Sequence, residues 1–182
     1  MSEFTVPGMT DKDAAQVAEL LQKQLSRYND LHLTLKHVHW NVVGPNFIGV
    51  HEMIDPQVEL VRGYADEVAE RIATLGGSPK GTPGAIISDR TWDDYSLERD
   101  TVAAHLAALD LVYDGIIEDT RKNIEETEEP DPVTNDMLVS HAAELEKFQW
   151  FVRAHLENAG GDLKHEGKST EKSAAKAAKS KG

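Results

Sequence analysis

Apolar residues recur at steps of three and four through four long stretches of this chain, and long amphipathic α-helices are what bury side chains spaced in that way. From 11 to about 40 the stripe is Val17, Leu21, Leu25, Tyr28, Leu31, Leu35 and Val38. Thr10 is placed to cap this helix, with Asp13 three residues on, where a capping box favours Glu. Gly44 and Pro45 then break the chain, and a second helical stretch is expected from about 46 to 75, closed by Gly76-Gly77 with Pro79 beyond. Pro56 falls inside that stretch and is expected to kink it, because proline lacks an amide donor and crowds the preceding turn. The segment 76–96 is rich in Gly and Pro and reads as a connection, with one short helix opening at Thr91 or Asp93. Val102, Leu106, Leu109, Tyr113, Ile116 and Thr120 mark a third helix to about 126. After the acidic turn EETEEPDP, the residues Leu138, His141, Leu145, Phe148, Val152 and Leu156 mark a fourth, stopped by Gly160-Gly161. Helices of about 26 to 30 residues are about 40 Å long, which predicts an all-α four-helix bundle with a short helix between the second and third long helices.

Composition narrows the chemistry. A chain of 182 residues, 40% hydrophobic, is enough for one domain with a core, and no internal repeat is visible. With no cysteine, disulfides, thiolate metal sites and cysteine nucleophiles are excluded. The N-terminus MSEFTVPGMT lacks a basic patch followed by an apolar run, and no 18 apolar residues occur in succession. Neither a secretory signal nor a membrane span is therefore expected, and a cytoplasmic location is. Charge is unevenly divided: residues 164–182 carry +4 and residues 1–163 carry -17, making the net -13. The acidic body should repel nucleic acid and concentrate small cations, and the lysine-rich tail has the opposite preference. The expected organisation is an N-terminal arm over 1–9, the bundle over 10–163, and a tail over 164–182 that has no large apolar residue and is expected to be disordered.

Four-helix bundles commonly hold paired metals through Glu-x-x-His motifs. Here the residue three before every histidine is something other than glutamate, so a di-iron centre of that kind within the bundle is not expected. A different ligand cluster is present: His39 near the end of the first helix, His51 and Asp55 at i, i+4, and Asp66 and Glu70 at i, i+4, each pair sharing a helix face. His51 and Asp66 are 15 residues apart. That is roughly 22 Å along a helix, whereas metal–ligand bonds are about 2 Å long. One subunit cannot close a site from both pairs. If the five residues belong together, the second helices of two antiparallel subunits must meet across a two-fold axis, creating two equivalent sites. The mixed nitrogen and oxygen donors suit iron, and zinc could occupy the site as an inhibitor.

The run KHVHWNVVGPNFIGVHEMIDPQVELVRGYADEVAERIATLGG, with His39-Trp40-Asn41, His51, Glu52, Asp55, Asp66 and Glu70, closely resembles the Dps proteins (DNA-binding protein from starved cells), which are small ferritin relatives. The resemblance extends through Trp92-Asp93-Asp94 and covers about residues 10 to 160. It implies a ferritin-like bundle assembled as a hollow twelve-subunit shell. The ferroxidase centres would lie between two subunits, with His39, His51 and Asp55 from one and Asp66 and Glu70 from the other. It further implies oxidation of Fe(II), preferably by hydrogen peroxide, storage of hydrated ferric oxide, and protection of DNA from oxidative damage in the nucleoid. Trp40 could pack or donate an electron to a stray oxidant.

For the tail, Lys164, Lys168, Lys172, Lys176, Lys179 and Lys181 are candidate phosphate-binding residues for sequence-independent DNA binding; the other reading is a solubilising tail. His32 reads as structural, and His105, His141 and His155 as core or interface histidines. The acidic turn of Glu125, Glu126, Glu128, Glu129 and Asp131 reads as a solvated loop, with a cation-drawing pore as the alternative. Two other functions compete: an architectural DNA-compacting assembly with a purely structural metal site, and a helical interaction module with neither activity.

Overall fold

The computed structural model describes residues 6–179. Helix α1, Asp11–Asn41, begins as the capping pattern requires: the Thr10 hydroxyl accepts the Asp13 amide at 3.1 Å and donates to the Asp13 carboxylate at 2.7 Å. A two-residue strand β1, Val42–Val43, follows. Gly44 (φ 98°) and Asn46 (φ 63°) in the left-handed region then turn the chain into α2, Phe47–Thr74. This helix ends where the glycine pair predicts. Gly76 (φ 81°) donates to Ala73 O at 3.0 Å and Gly77 donates to Ile72 O at 2.9 Å, the paired bonds of a Schellman stop. Assigned helix continues through Pro56. Pro56 and Glu52, four residues earlier, are both exposed, which puts the missing amide bond on the outer face of the helix.

The short helix α3, Pro83–Asp89, lies earlier in the connection than the expected opening at Thr91 or Asp93. Thr82 precedes Pro83 at the first helical position, where proline's fixed φ suits a helix start, and Ile86 anchors the turn by burial. Trp92 is committed elsewhere: its indole N–H donates to Asp30 at 2.8 Å and the Arg27 guanidinium lies 3.7 Å from the ring centroid. Strand β2, Asp100–Thr101, pairs in parallel with β1, Val42 opposite Asp100. It ties the start of α4, Val102–Thr127, to the end of α1. Helix α5, Pro132–Leu156, completes the bundle.

Two helical hairpins, α1–α2 and α4–α5, thus face each other. Leu21, Leu31, Leu35, Ile54, Leu106, Leu109, Ile116, Leu138, Leu145 and Leu156 are fully buried between them, each contributing about 1.5–3 kcal/mol. Polar links cross the same seam. Gln24 donates to Thr120 at 3.0 Å, Tyr113 donates to Gln57 at 2.5 Å, and Arg71 holds both oxygens of the Asp131 carboxylate at 2.8 and 2.7 Å.

The tail departs most from expectation. A sixth helix α6, Glu171–Lys179, lies against α4, with Ala174, Ala175 and Ala178 buried. Alanine is the strongest helix former, and its small side chain lets a helix approach the buried Ala104 and Ala108 of α4 closely. The absence of large apolar residues therefore selected a thin contact and did not prevent packing. Ion pairs and hydrogen bonds fix both ends: the Glu171 carboxylate accepts from the Ser96 amide and hydroxyl, each at 2.6 Å, and Lys179 reaches Asp100 at 2.6 Å. Upstream, His165 is buried and bonds to Asp110 at 2.8 Å. Among the described residues no helix is long and apolar enough to cross a membrane.

Candidate metal centre

The end of α1 and the first turn of α2 bring His39 and His51 face to face, with ring centroids 3.5 Å apart and planes 25° from parallel. Nδ1 of His39 donates to the His51 carbonyl at 2.9 Å, and Nδ1 of His51 donates to the His39 carbonyl at 2.9 Å. Each ring thereby fixes the other's tautomer. Nδ1 of each ring is the donor and Nε2 stays outside these bonds, the orientation in which an imidazole ligates a metal. His39 is buried and His51 half-buried, and the Phe47 ring packs 5.0 Å from that of His51. Asp55 joins them through one oxygen, 3.2 Å from His39 Nδ1 and 3.0 Å from Lys36 Nζ. The Lys36 hydrogen bond holds the Asp55 carboxyl below the usual carboxylate range, so it is ionised at neutral pH.

Asp66 and Glu70 stand apart from this group, further along α2 and both exposed. Asp66 borders a groove of about 340 Å³ between α1 and α2, lined also by Asn29, His32 and Arg62. Among the described residues, no three His, Asp or Glu converge to hold a metal within one chain. What one chain presents is a stacked histidine pair with a carboxylate at one end of a helix and a carboxylate pair at another level of it.

Trp40 is 71% exposed, so it is not a packing residue within the chain, and Lys36 Nζ lies 5.8 Å from its ring centroid. His32 is half-buried, and its Nδ1 is sealed from solvent with no partner among the described residues. His105 bonds to the Tyr95 hydroxyl at 2.9 Å and is a core histidine. His155, expected in the core or an interface, is exposed in the chain and donates to Phe151 O at 2.8 Å. In the acidic turn, Glu125 and Glu126 belong to α4 and Glu128 and Glu129 are exposed. Asp131 is not a solvated loop residue: it is buried, and although burial alone would raise its pKa, hydrogen bonds from Arg71 and Thr134 outweigh that and lower it.

Of the tail lysines, Lys172, Lys176 and Lys179 are exposed on α6, and Lys179 is the one paired with Asp100. Lys164 and Lys168 precede the helix, and Lys181 lies outside the described residues. The sequence pattern does not disclose two polar groupings built on buried residues. One is Asp110 with His165, Gln149 and Arg153; the other is His141 with Tyr28 and Glu67. Their only sequence signal is an ionisable residue on an apolar stripe, which demands a partner without saying which.

A family model described as a ferritin-like domain matches residues 18–160. The chain is 80% identical to the "DNA protection during starvation protein" of Mycolicibacterium smegmatis over 181 residues, covering 100% of this chain and 99% of that one. A solved structure of Mycobacterium smegmatis Dps superposes with a TM-score of 0.92 at 81% identity, covering 93% of this chain and 97% of that one. DpsA14 from Streptomyces coelicolor gives 0.87 at 58% identity, covering 88% and 96%.

Proposed function

The chain belongs to the ferritin-like family, among the Dps proteins, and from that premise we propose that it oxidises Fe(II) with hydrogen peroxide at sites shared between two subunits. It stores the ferric product in a hollow, twelve-subunit shell and binds DNA without sequence preference. The reciprocal Nδ1–carbonyl bonds of His39 and His51 carry this reading, because they leave Nε2 of both stacked rings with no structural duty. Those nitrogens and the Asp55 carboxylate offer one half-site, and Asp66 and Glu70 of a second copy offer the other. Iron is the substrate. Two Fe(II) and one hydrogen peroxide give two Fe(III) and two hydroxide ions, so both electrons leave together and no hydroxyl radical forms. Ionised carboxylates stabilise the growing charge on iron.

DNA binding rests on α6. The exposed Lys172 and Lys176, away from the Lys179–Asp100 pair, oppose the charge of the acidic body and could track phosphates, and many copies on one shell would add through effective concentration. Such binding would place the shell on the nucleoid in the cytoplasm, and the name of the Mycolicibacterium relative points the same way. Anaerobic mixing of the assembled protein with Fe(II) and hydrogen peroxide tests the reading. Consumption of one peroxide per two irons, with no spin-trapped hydroxyl radical, is expected. An architectural assembly with a structural metal would retain DNA and leave Fe(II) oxidation at the buffer rate.

A further inference from the structure

The contacts that dock α6 also withdraw charge from it. At its start the Glu171 carboxylate accepts from the Ser96 amide and hydroxyl, and at its end Lys179 reaches Asp100, all at 2.6 Å. From 171 to 179 the helix rises about 12 Å, and four extended residues span about 13 Å, so the segment 96–100 clasps α6 at both ends. Asp100 is an anion there: partial burial would raise its carboxyl, but the Lys179 hydrogen bond and the Thr101 amide outweigh that and lower it. Lys172 borders a groove of about 540 Å³ that Asp30, Asp93, Asp94 and Glu171 also line. The other cation of that groove, Arg27, is already paired with Asp119 and stacked on Trp92. A phosphate drawn to the docked helix therefore comes within a Debye length, about 8–10 Å, of several carboxylates.

The hold is also thin. A helix of nine residues does not persist alone in water, and the side chains that α6 buries are three alanines, so helix and docking form or are lost together. Once released beyond the buried His165, residues 166–179 can extend about 45 Å, far outside the screening distance of the acidic body. We propose that docked α6 is the latched form of the DNA-binding element and that DNA takes it undocked: phosphates replace Asp100 as the partner of Lys179, the helix leaves α4, and Lys179 joins Lys172 and Lys176 on the DNA backbone. This inference rests on the DNA-binding reading above. Asp100 and Ser96 then set the affinity from outside the tail, because apparent affinity falls in proportion to the fraction of tails undocked at rest. If one tail in ten is undocked, the latch weakens each tail's binding about tenfold.

Hydrogen exchange read by mass spectrometry tests it on the full-length assembly, with and without a duplex DNA of mixed sequence. The amides of 174–178 should be protected in the free protein and lose that protection at saturating DNA. Protection that survives saturation, or that is absent before DNA is added, overturns the latch and leaves DNA binding standing. Two variants read the same step through affinity. Ala175→Gln loosens the contact with α4 without changing charge and should tighten DNA binding severalfold; unchanged or weaker binding overturns the proposal. Lys179→Gln should flatten the slope of log K against log salt by about 0.9, the increment of one phosphate, although this lysine is paired with Asp100 in the docked form; an unchanged slope overturns it too. The exchange measurement needs no substitution and decides the matter if either variant fails to assemble. An unaltered assembly that retains no DNA overturns the DNA reading itself.

Discussion

Mixing two inactive variants should restore about a quarter of the wild-type sites, because a two-fold interface that shares ligands can recombine intact halves. His51→Ala removes a nitrogen from the histidine half and Glu70→Ala an oxygen from the carboxylate half. The two halves lie well apart on the continuous helix α2, roughly 22 Å between His51 and Asp66 at 1.5 Å per residue. Neither variant can therefore repair itself. When equal amounts assemble at random, half the interfaces pair unlike chains. Each such interface holds one site with both lesions and one with neither. Recovered activity should thus follow f(1−f), where f is the fraction of one variant, with its maximum at equal mixing. Each variant alone should fall at least about tenfold, since even groups behind the ligands commonly cost that much. The assay is the initial rate of peroxide-driven Fe(II) oxidation in assemblies whose mixed composition is verified by native mass spectrometry. Mixing His51→Ala with Asp55→Ala, both damaged in the same half, supplies the control and should recover nothing. Background activity at every ratio of His51→Ala to Glu70→Ala would refute the shared site, as would wild-type activity in either variant alone.

Three further outcomes follow from side chains outside that site. Asp131→Ala should cost about 3 kcal/mol in urea unfolding, because it strands a largely buried Arg71. The folded-state pKa of Asp131 is lowered, so the pair's contribution is full above its unfolded value of about 3.9 and fades as pH falls through the folded value; the gap between wild type and variant should close in acid. Replacing Lys172 and Lys176 together by Gln should flatten the slope of log K against log salt for DNA by about 0.9 for each phosphate no longer neutralised, with Fe(II) oxidation unaltered; an unchanged slope places the DNA surface elsewhere. Ala175→Asp should undock α6 by burying an unpaired carboxylate against α4, seen as at least about tenfold faster tryptic cleavage within 171–179; equal cleavage would show that the docked helix contributes no protection.

The four long helices are legible because stripes such as Leu21, Leu31 and Leu35 repeat with the period of the secondary structure they build, and because Thr10 and Gly76-Gly77 punctuate it locally. Local signals fail where two candidates compete: Thr82-Pro83 starts the short helix, and the segment after Thr91 instead gives Trp92 to Asp30 and Arg27. The tail reads as disordered because its burial depends on a complementary surface far back in the sequence. Ala175 resembles a linker residue until Ala104 and Ala108 are brought opposite this helix. At the proposed site, spacing nominates residues and does not supply their geometry. Spacing groups His39 with His51, but nothing in it says that each ring bonds the other's carbonyl, or that Lys36 takes one oxygen of Asp55. Asp131 shows the converse error, since a run of acids looks solvated while one member has a guanidinium waiting on another helix.

The division into two hairpins also sets an order of events during synthesis. All five proposed ligands lie in the first hairpin, and His141, the α5 partner of Glu67, follows that residue by 74 positions. At a ribosomal rate of about 5–20 residues per second, the ligands exist for roughly 4–15 s before that partner is made. A nascent first hairpin offers cations at most a histidine pair with one carboxylate, or two carboxylates, and never the whole set. With the ligands split between copies as proposed, tight iron capture would wait until finished chains meet, and the metal would not fix an incomplete fold.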